Sequence, residues 1–117
     1  MKDNAILEKS FLFSVRIVNL YKYLTENKKE YTLSKQLLKC GTSIGANATE
    51  AQKGQSKADF TAKMYVALKE AYEAEYWIRL LYQTDYIPEN GYVSIKKDVD
   101  ELITILVSIC KTSVESK

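Results

Sequence analysis

Histidine is absent from all 117 residues, which removes the usual general base and the commonest metal ligand near neutral pH. Cysteine is sparse. Cys40 and Cys110 stand far apart in no ligand-like spacing, so neither a zinc site nor a disulfide framework is indicated, and both read as buried thiols in a reducing cytosol. Long hydrophobic runs are missing too: the longest, Leu102 to Cys110, is about half of what a membrane span needs. Charges between Met1 and Glu8 leave no room for a signal peptide, so the expected location is cytoplasmic. No phosphate-binding glycine loop, nucleophile–base pair or metal motif occurs, so no cofactor or metal is expected. The net charge of +2 is too small by itself to argue for a nucleic-acid partner.

What is present is helical periodicity. From Gln36 to Gly54 the chain reads QLLKCGTSIGANATEAQKG, the middle of a helix that nevertheless keeps Gly41, Gly45 and several alanines, serines and threonines. Glycine inside a helix costs about 1 kcal/mol relative to alanine, so these residues point to close approach of a neighbour. At 100° per residue Leu33, Leu37, Cys40, Ile44, Ala48 and Ala51 share one stripe. The same pattern predicts helices over 4–27, 32–54, 57–86 and 94–112, with no candidate strand and no repeat. Thr32 or Ser34 is expected to cap the second helix, and Ser56 to Asp59 resembles a capping box for the third. Pro88, the single proline, falls in a turn, IPENGY, before the fourth. The tail after Thr112 is expected to fray. Four long helices with short connectors in one domain, residues 1–117, predict an all-α, up-down-up-down antiparallel four-helix bundle.

Three of these helices carry more apolar surface than one copy of a bundle uses. Helix one has one stripe of Ile6, Phe13, Ile17, Leu20 and Leu24 and a second of Leu7, Phe11, Val18 and Tyr21. Helix three adds Tyr65, Tyr72, Tyr76 and Trp77, drawn from a chain with nine tyrosines. Large side chains with a polar tip favour interfaces, so these four are candidates for an oligomer interface, against the plainer reading of tyrosines lying flat on a monomer.

The run TSIGANATEA followed by QSKADFTAKMYVALKEAYEAEYWIRLL resembles the four-helix-bundle family of 23S rRNA-intervening-sequence proteins, also called S23 ribosomal protein. Ser43, Ile44, Asn47 and Glu50 match its serine-isoleucine-x-x-asparagine-x-x-glutamate pattern. Ser56, Phe60, Ala67, Lys69 to Ala71 and Glu75 to Trp77 match its third helix. The detailed match covers about residues 36 to 81; Ala51 stands where many members have glycine, and Ala48-Thr49 where isoleucine-alanine is common. The resemblance implies a left-handed bundle that associates with itself as a ring, with a pentamer expected. It implies little about biochemistry, although a related bundle, the accessory protein of diversity-generating retroelements, looks like a basic nucleic-acid binder.

Two groups of polar residues are candidate sites. Ser43, Asn47 and Glu50, with Glu73 and Glu75 from helix three, suit a polar core network that fixes helix register. A carboxylate metal site is the sharper alternative, and it lacks the Glu-x-x-His motif of di-iron bundles. Lys28, Lys29, Lys35, Lys39, Lys53 and Lys57 form the second group. From Tyr31 to Lys57 four lysines meet only Glu50, a balance of 4 − 1 = +3, whereas Ala58 to Asn90 holds six acidic against three basic residues, −3. A basic stripe of this kind, repeated around a ring, suits RNA or DNA. The plainer readings are a solvated face or an acidic protein partner, since the stripe lacks the arginine preferred for bidentate phosphate contacts. Base stacking is an alternative use for the tyrosines, although at helical spacing they more often serve packing. The function expected is therefore non-enzymatic: a ring-forming bundle that binds RNA or DNA, or else a structural adaptor with no nucleic-acid ligand.

Overall fold

The structure, a computed structural model, describes residues 2–115. Four helices account for nearly all of them: α1 (Lys2–Glu26), α2 (Leu33–Ala51), α3 (Lys57–Gln83) and α4 (Glu89–Glu115). They form an up-down-up-down antiparallel bundle about 47 Å long and 21 × 19 Å across. Each helix lies beside its neighbour in sequence and α4 closes against α1, while the diagonal pairs α1/α3 and α2/α4 keep their backbones apart. Among the described residues there is no strand.

The apolar stripes meet along the axis. Ile6, Phe13, Ile17 and Leu24 from α1 join Leu37, Cys40, Ile44, Ala48 and Ala51 from α2, all buried. From α3 come Met64, Ala67, Ala71, Ala74, Ile78 and Leu81, and from α4 Ile95, Val99, Leu102, Leu106 and Ile109. The core is small in the middle because α2 and α3 line it with alanine and glycine. A Cβ at Gly41 would stand 2.9 Å from Ile17 Cγ1, and one at Gly45 would stand 3.3 Å from the Ser10 carbonyl oxygen and hydroxyl. The glycines thus admit α1, whose facing residue Ser10 is itself small and buried.

The helix ends depart from the sequence reading in instructive ways. Thr32 makes no side-chain capping bond. Glu30 caps α2 instead, its carboxylate accepting from the backbone N–H groups of Thr32 (3.2 Å), Leu33 (3.0 Å) and Ser34 (2.7 Å). A glutamate before the helix reaches three of the unsatisfied donors at once. The helix stops at Ala51, short of Gly54, because 3.2 and 3.0 Å bonds from Gln52 N to Thr49 O and from Lys53 N to Glu50 O tighten the last turn. At the start of α3 the Ser56 hydroxyl accepts from Asp59 N–H at 3.1 Å, and Asp59 reaches back to Gln55 N–H at 3.3 Å. The capping box therefore forms with its return bond one residue early.

Helix α3 ends at Gln83, not 86. Asp85 adopts the left-handed region (φ 69°), Tyr86 N–H bonds to Leu81 O at 2.9 Å and Asp85 N–H to Tyr82 O at 3.1 Å, the two bonds of a Schellman motif. Aspartate stands in for the usual glycine, which hid the stop. Helix α4 begins at Glu89, five residues before the expected start at Ser94. Pro88 opens it: its carbonyl accepts from Tyr92 N–H at 2.9 Å, and its missing N–H is no loss at a helix start. The far end of α4 reaches Glu115, beyond Thr112; of the tail expected to fray, residues 116 and 117 lie outside the described ones.

Two outcomes test these points. Burial works to raise the Glu30 pKa, but the three backbone bonds and the Ser34 hydroxyl outweigh it and hold the carboxyl below its ordinary value of 4.5. A depressed folded pKa contributes stability above the ordinary value that is lost as pH falls through the folded one. Glu30→Ala is therefore expected to cost about 1–2 kcal/mol at neutral pH, with the gap to the parent closing below pH 4.5; urea denaturation at both pH values reads it. Gly45→Leu is expected to lose about 1–3 kcal/mol by overpacking, because the nearest obstacle at 3.3 Å is the Ser10 backbone; a thermal midpoint equal to the parent's would refute this.

Candidate nucleic-acid and subunit interfaces

The six candidate lysines divide between the two ends of the rod. Lys28 and Lys29 lie in the α1–α2 connector and Lys35 and Lys39 on the outward side of the first half of α2, all exposed. Lys53 and Lys57 lie at the opposite end, around the α2–α3 turn, roughly 27 Å away along α2. Lys28 Nζ stands 5.9 Å from the centre of the Tyr23 ring, and Lys29 Nζ donates to Glu26 O at 2.9 Å. Lys22, exposed near the end of α1, joins the connector group. Sequence reasoning left it out, although it stands only six residues before Lys28.

The five polar candidates are not gathered into one layer. Asn47 Nδ2 bonds to Ser43 O and Oγ, both at 2.9 Å, one turn back along α2. Glu50 pairs with Lys63 at 3.0 Å on the exposed α2–α3 seam. Glu73 accepts from Trp77 Nε1 at 3.1 Å. Glu75, expected in the polar core network, instead turns to α4, where Lys96 Nζ lies at 3.5 Å, and it also meets Arg79 at 3.8 Å. Two residues of separation rotate Glu73 and Glu75 to opposite flanks of α3, with buried Ala74 between them. The Asp100 hydrogen bond, opposed by partial burial and helped by the charges of Asp100 and Glu75, holds the Lys96 pKa up.

Neither cysteine is poised to react. Burial, then the charges of Glu73 and Glu70, pushes the Cys40 thiol up to about 12, and burial raises Cys110, so both stay protonated at neutral pH. Among the described residues no three histidine, cysteine or acidic side chains converge as metal ligands, and no helix is long and apolar enough to cross a membrane.

Apolar surface is the more prominent feature. Tyr65, Tyr72 and Tyr76 point outward from α3, 47–54% exposed, whereas Trp77 is half-buried, leaning on the core and meeting Tyr76 edge-on at 5.1 Å. On α1, Phe11, Leu12, Val15 and Val18 form an outward stripe, with Phe11 67% exposed. The second apolar stripe of the first helix is thus only partly inside: Phe11 and Val18 face solvent because they lie more than about 90° round α1 from its buried stripe of Ile6, Phe13 and Ile17. A groove of about 450 Å³ runs beside Phe11, walled on the α2 side by Thr42, Gly45, Ala46 and Thr49. A second, of about 380 Å³, lies between α1 and α4 around Leu20, Tyr23, Ile87 and Ile95.

With this geometry in view, known proteins give the lineage. No curated protein matches the chain closely enough to count as a relative. A solved structure does: a protein of unknown function from the S23 ribosomal protein family of Bacteroides thetaiotaomicron is 54% identical, with a TM-score of 0.93 over 95% of this chain and 99% of that one. The sequence model of the 23S rRNA-intervening sequence proteins matches residues 2–108. The four-helix bundle, the serine-isoleucine-asparagine-glutamate face of α2 and these two likenesses together make this chain a member of the 23S rRNA-intervening sequence protein family.

Proposed function

We propose that this protein is a non-enzymatic, cytoplasmic scaffold: a homo-oligomeric ring of four-helix bundles that binds RNA or DNA through phosphate contacts from its lysine-rich end. The observation that carries the reading is the lysine cluster Lys22, Lys28, Lys29, Lys35 and Lys39 at one end of a rod whose sides carry uncovered apolar faces. A single copy has few charges to hold a polyanion. Assembly repeats the cluster, and each neutralised phosphate adds to affinity by releasing counterions. The protonated thiols and the paired carboxylates argue against catalysis. Burial of two unpaired cysteines fits a reducing compartment. Five copies are the number the family resemblance suggests.

A second reading, a protein–protein adaptor with an acidic partner, draws on one observation. Arg16 is engaged by Asp98 at 2.5 Å and Arg79 by Glu75 at 3.8 Å, which leaves lysine alone for phosphate. Fluorescence anisotropy with labelled RNA and duplex DNA across a salt series separates the two. Nucleic-acid binding is expected to weaken steeply with salt. Lys35→Glu with Lys39→Glu is expected to lower the log–log salt slope by about 2, since each phosphate left without its lysine removes roughly 0.9 on duplex. Binding unchanged in that variant would remove α2 from the interface, and no binding at low salt would leave the adaptor.

A further inference from the structure

We infer that the groove between α1 and α4 receives an unpaired base of a single-stranded nucleic acid, whose phosphates meet the lysines at the same end of the rod. This rests on the nucleic-acid reading above and names the form of ligand it takes. The groove holds about 380 Å³, within the size range of small-ligand pockets. Leu20 and Tyr23 of α1 form one wall; Ile87, Pro88, Gly91 and Ile95, from the α3–α4 turn and α4, form the other. Ile87 and Ile95 are buried, so the depth of the groove is apolar. Gly91 keeps it open. A Cβ there would make ordinary contact with the walls themselves, 3.6 Å from Ile87 Cγ2 and 3.9 Å from Pro88 Cγ, so a side chain at this position fits the backbone and takes up groove space.

The chemistry around the slot suits a flat ring that carries a phosphate. Lys28 Nζ lies 5.9 Å from the centre of the Tyr23 ring, which places an ammonium beside one wall, and Lys22 is exposed next to Tyr23 in sequence. Arg16 also lines the groove, but Asp98 holds its Nη1 at 2.5 Å, so that end is close to neutral. Of the acidic residues at the lysine-rich end, Glu30 is occupied by backbone donors and Glu89 accepts from the Tyr82 hydroxyl at 3.4 Å. Glu26 and Asp85 are exposed there, fewer than the lysines they face. Asn19 stands exposed at the rim, and its amide has no hydrogen-bond partner among the described residues. That amide offers both a donor and an acceptor to the edge of a base. Tyr31, 59% exposed in the connector between Lys29 and Lys35, presents a second ring for a neighbouring base. Rings interleaved with lysines are the recurring means of holding single strands. A duplex keeps its bases stacked inside and offers none to the groove. A free nucleotide would leave Lys35 and Lys39 without a phosphate, whereas a strand brings one with every base.

Fluorescence anisotropy at low salt tests this with two labelled probes, an oligothymidylate and an abasic strand of equal length. The parent is expected to bind the oligothymidylate about fivefold or more tighter, the contribution of one stacked base. Gly91→Leu fills the groove, and Asn19→Leu removes the rim amide at an exposed position; a circular dichroism spectrum like the parent's verifies each fold. Both variants are expected to weaken oligothymidylate binding toward the abasic level, while abasic binding and its salt slope stay at the parent's values, because no lysine has changed. Equal affinity of the parent for the two probes would overturn the inference and leave the phosphate reading standing. A preference for bases that survives in both folded variants would also overturn it, since the base would then lie outside this groove. Failure of the parent to bind either strand would remove the nucleic-acid reading as well.

Discussion

Close approach of α1 to α2 at Gly41 and Gly45 is the constraint on which the rest of this bundle depends. A Cβ at either position would meet Ile17 or the Ser10 backbone at 2.9–3.3 Å, and native interiors have no slack to absorb such an addition. The same buried face of α2 continues the theme, with Ala48 and Ala51 buried like Ala67, Ala71 and Ala74 of α3. Small residues along this face let α2 lie close to its neighbours. The larger side chains on the far sides of the flanking helices, turned away from the core by helical period, stay uncovered. Phe11 and Val18 on α1, and Tyr65, Tyr72 and Tyr76 on α3, are the visible consequence.

The electrostatics follow from the same geometry. With the centre closed by alanine, charged residues pair along the seams between helices: Glu50 with Lys63, Glu75 with Lys96, Asp98 with Arg16, Glu101 with Lys9. Pairs at the surface contribute little stability each and lie along seams whose register the packed core sets. Glu30 is the exception, a buried carboxylate satisfied by backbone donors, which anchors the connector that carries Lys28 and Lys29. Charge among the described residues therefore serves the seams and the surface.

The element count, the antiparallel order and nearly every core position were legible in the periodicity of the chain, since apolar stripes such as Ile95-Val99-Leu102-Leu106 allow one inward face. Less legible were the ends. Asp85 in the left-handed region replaces the expected glycine signal, Pro88 starts a helix that its turn chemistry disguised, and Glu30 does the capping expected of Thr32. Each of these depends on where a backbone donor or acceptor ends up in space, which residue type alone under-determines. The polar candidates show the same limit. Ser43 and Asn47 are joined because four residues apart is one helical turn, whereas Glu73 and Glu75 part company because two residues are more than half a turn.

By itself the chain determined that it would be helical, short-looped, without histidine chemistry and without a membrane span in its helices, because those follow from composition and period. Only the tertiary structure decided which apolar residues remain outside and which lysines share an end. The physical reason is that periodicity reports the direction of a side chain around its own helix, while exposure depends on how near the next helix comes. That distance is set here by the missing Cβ atoms of two glycines.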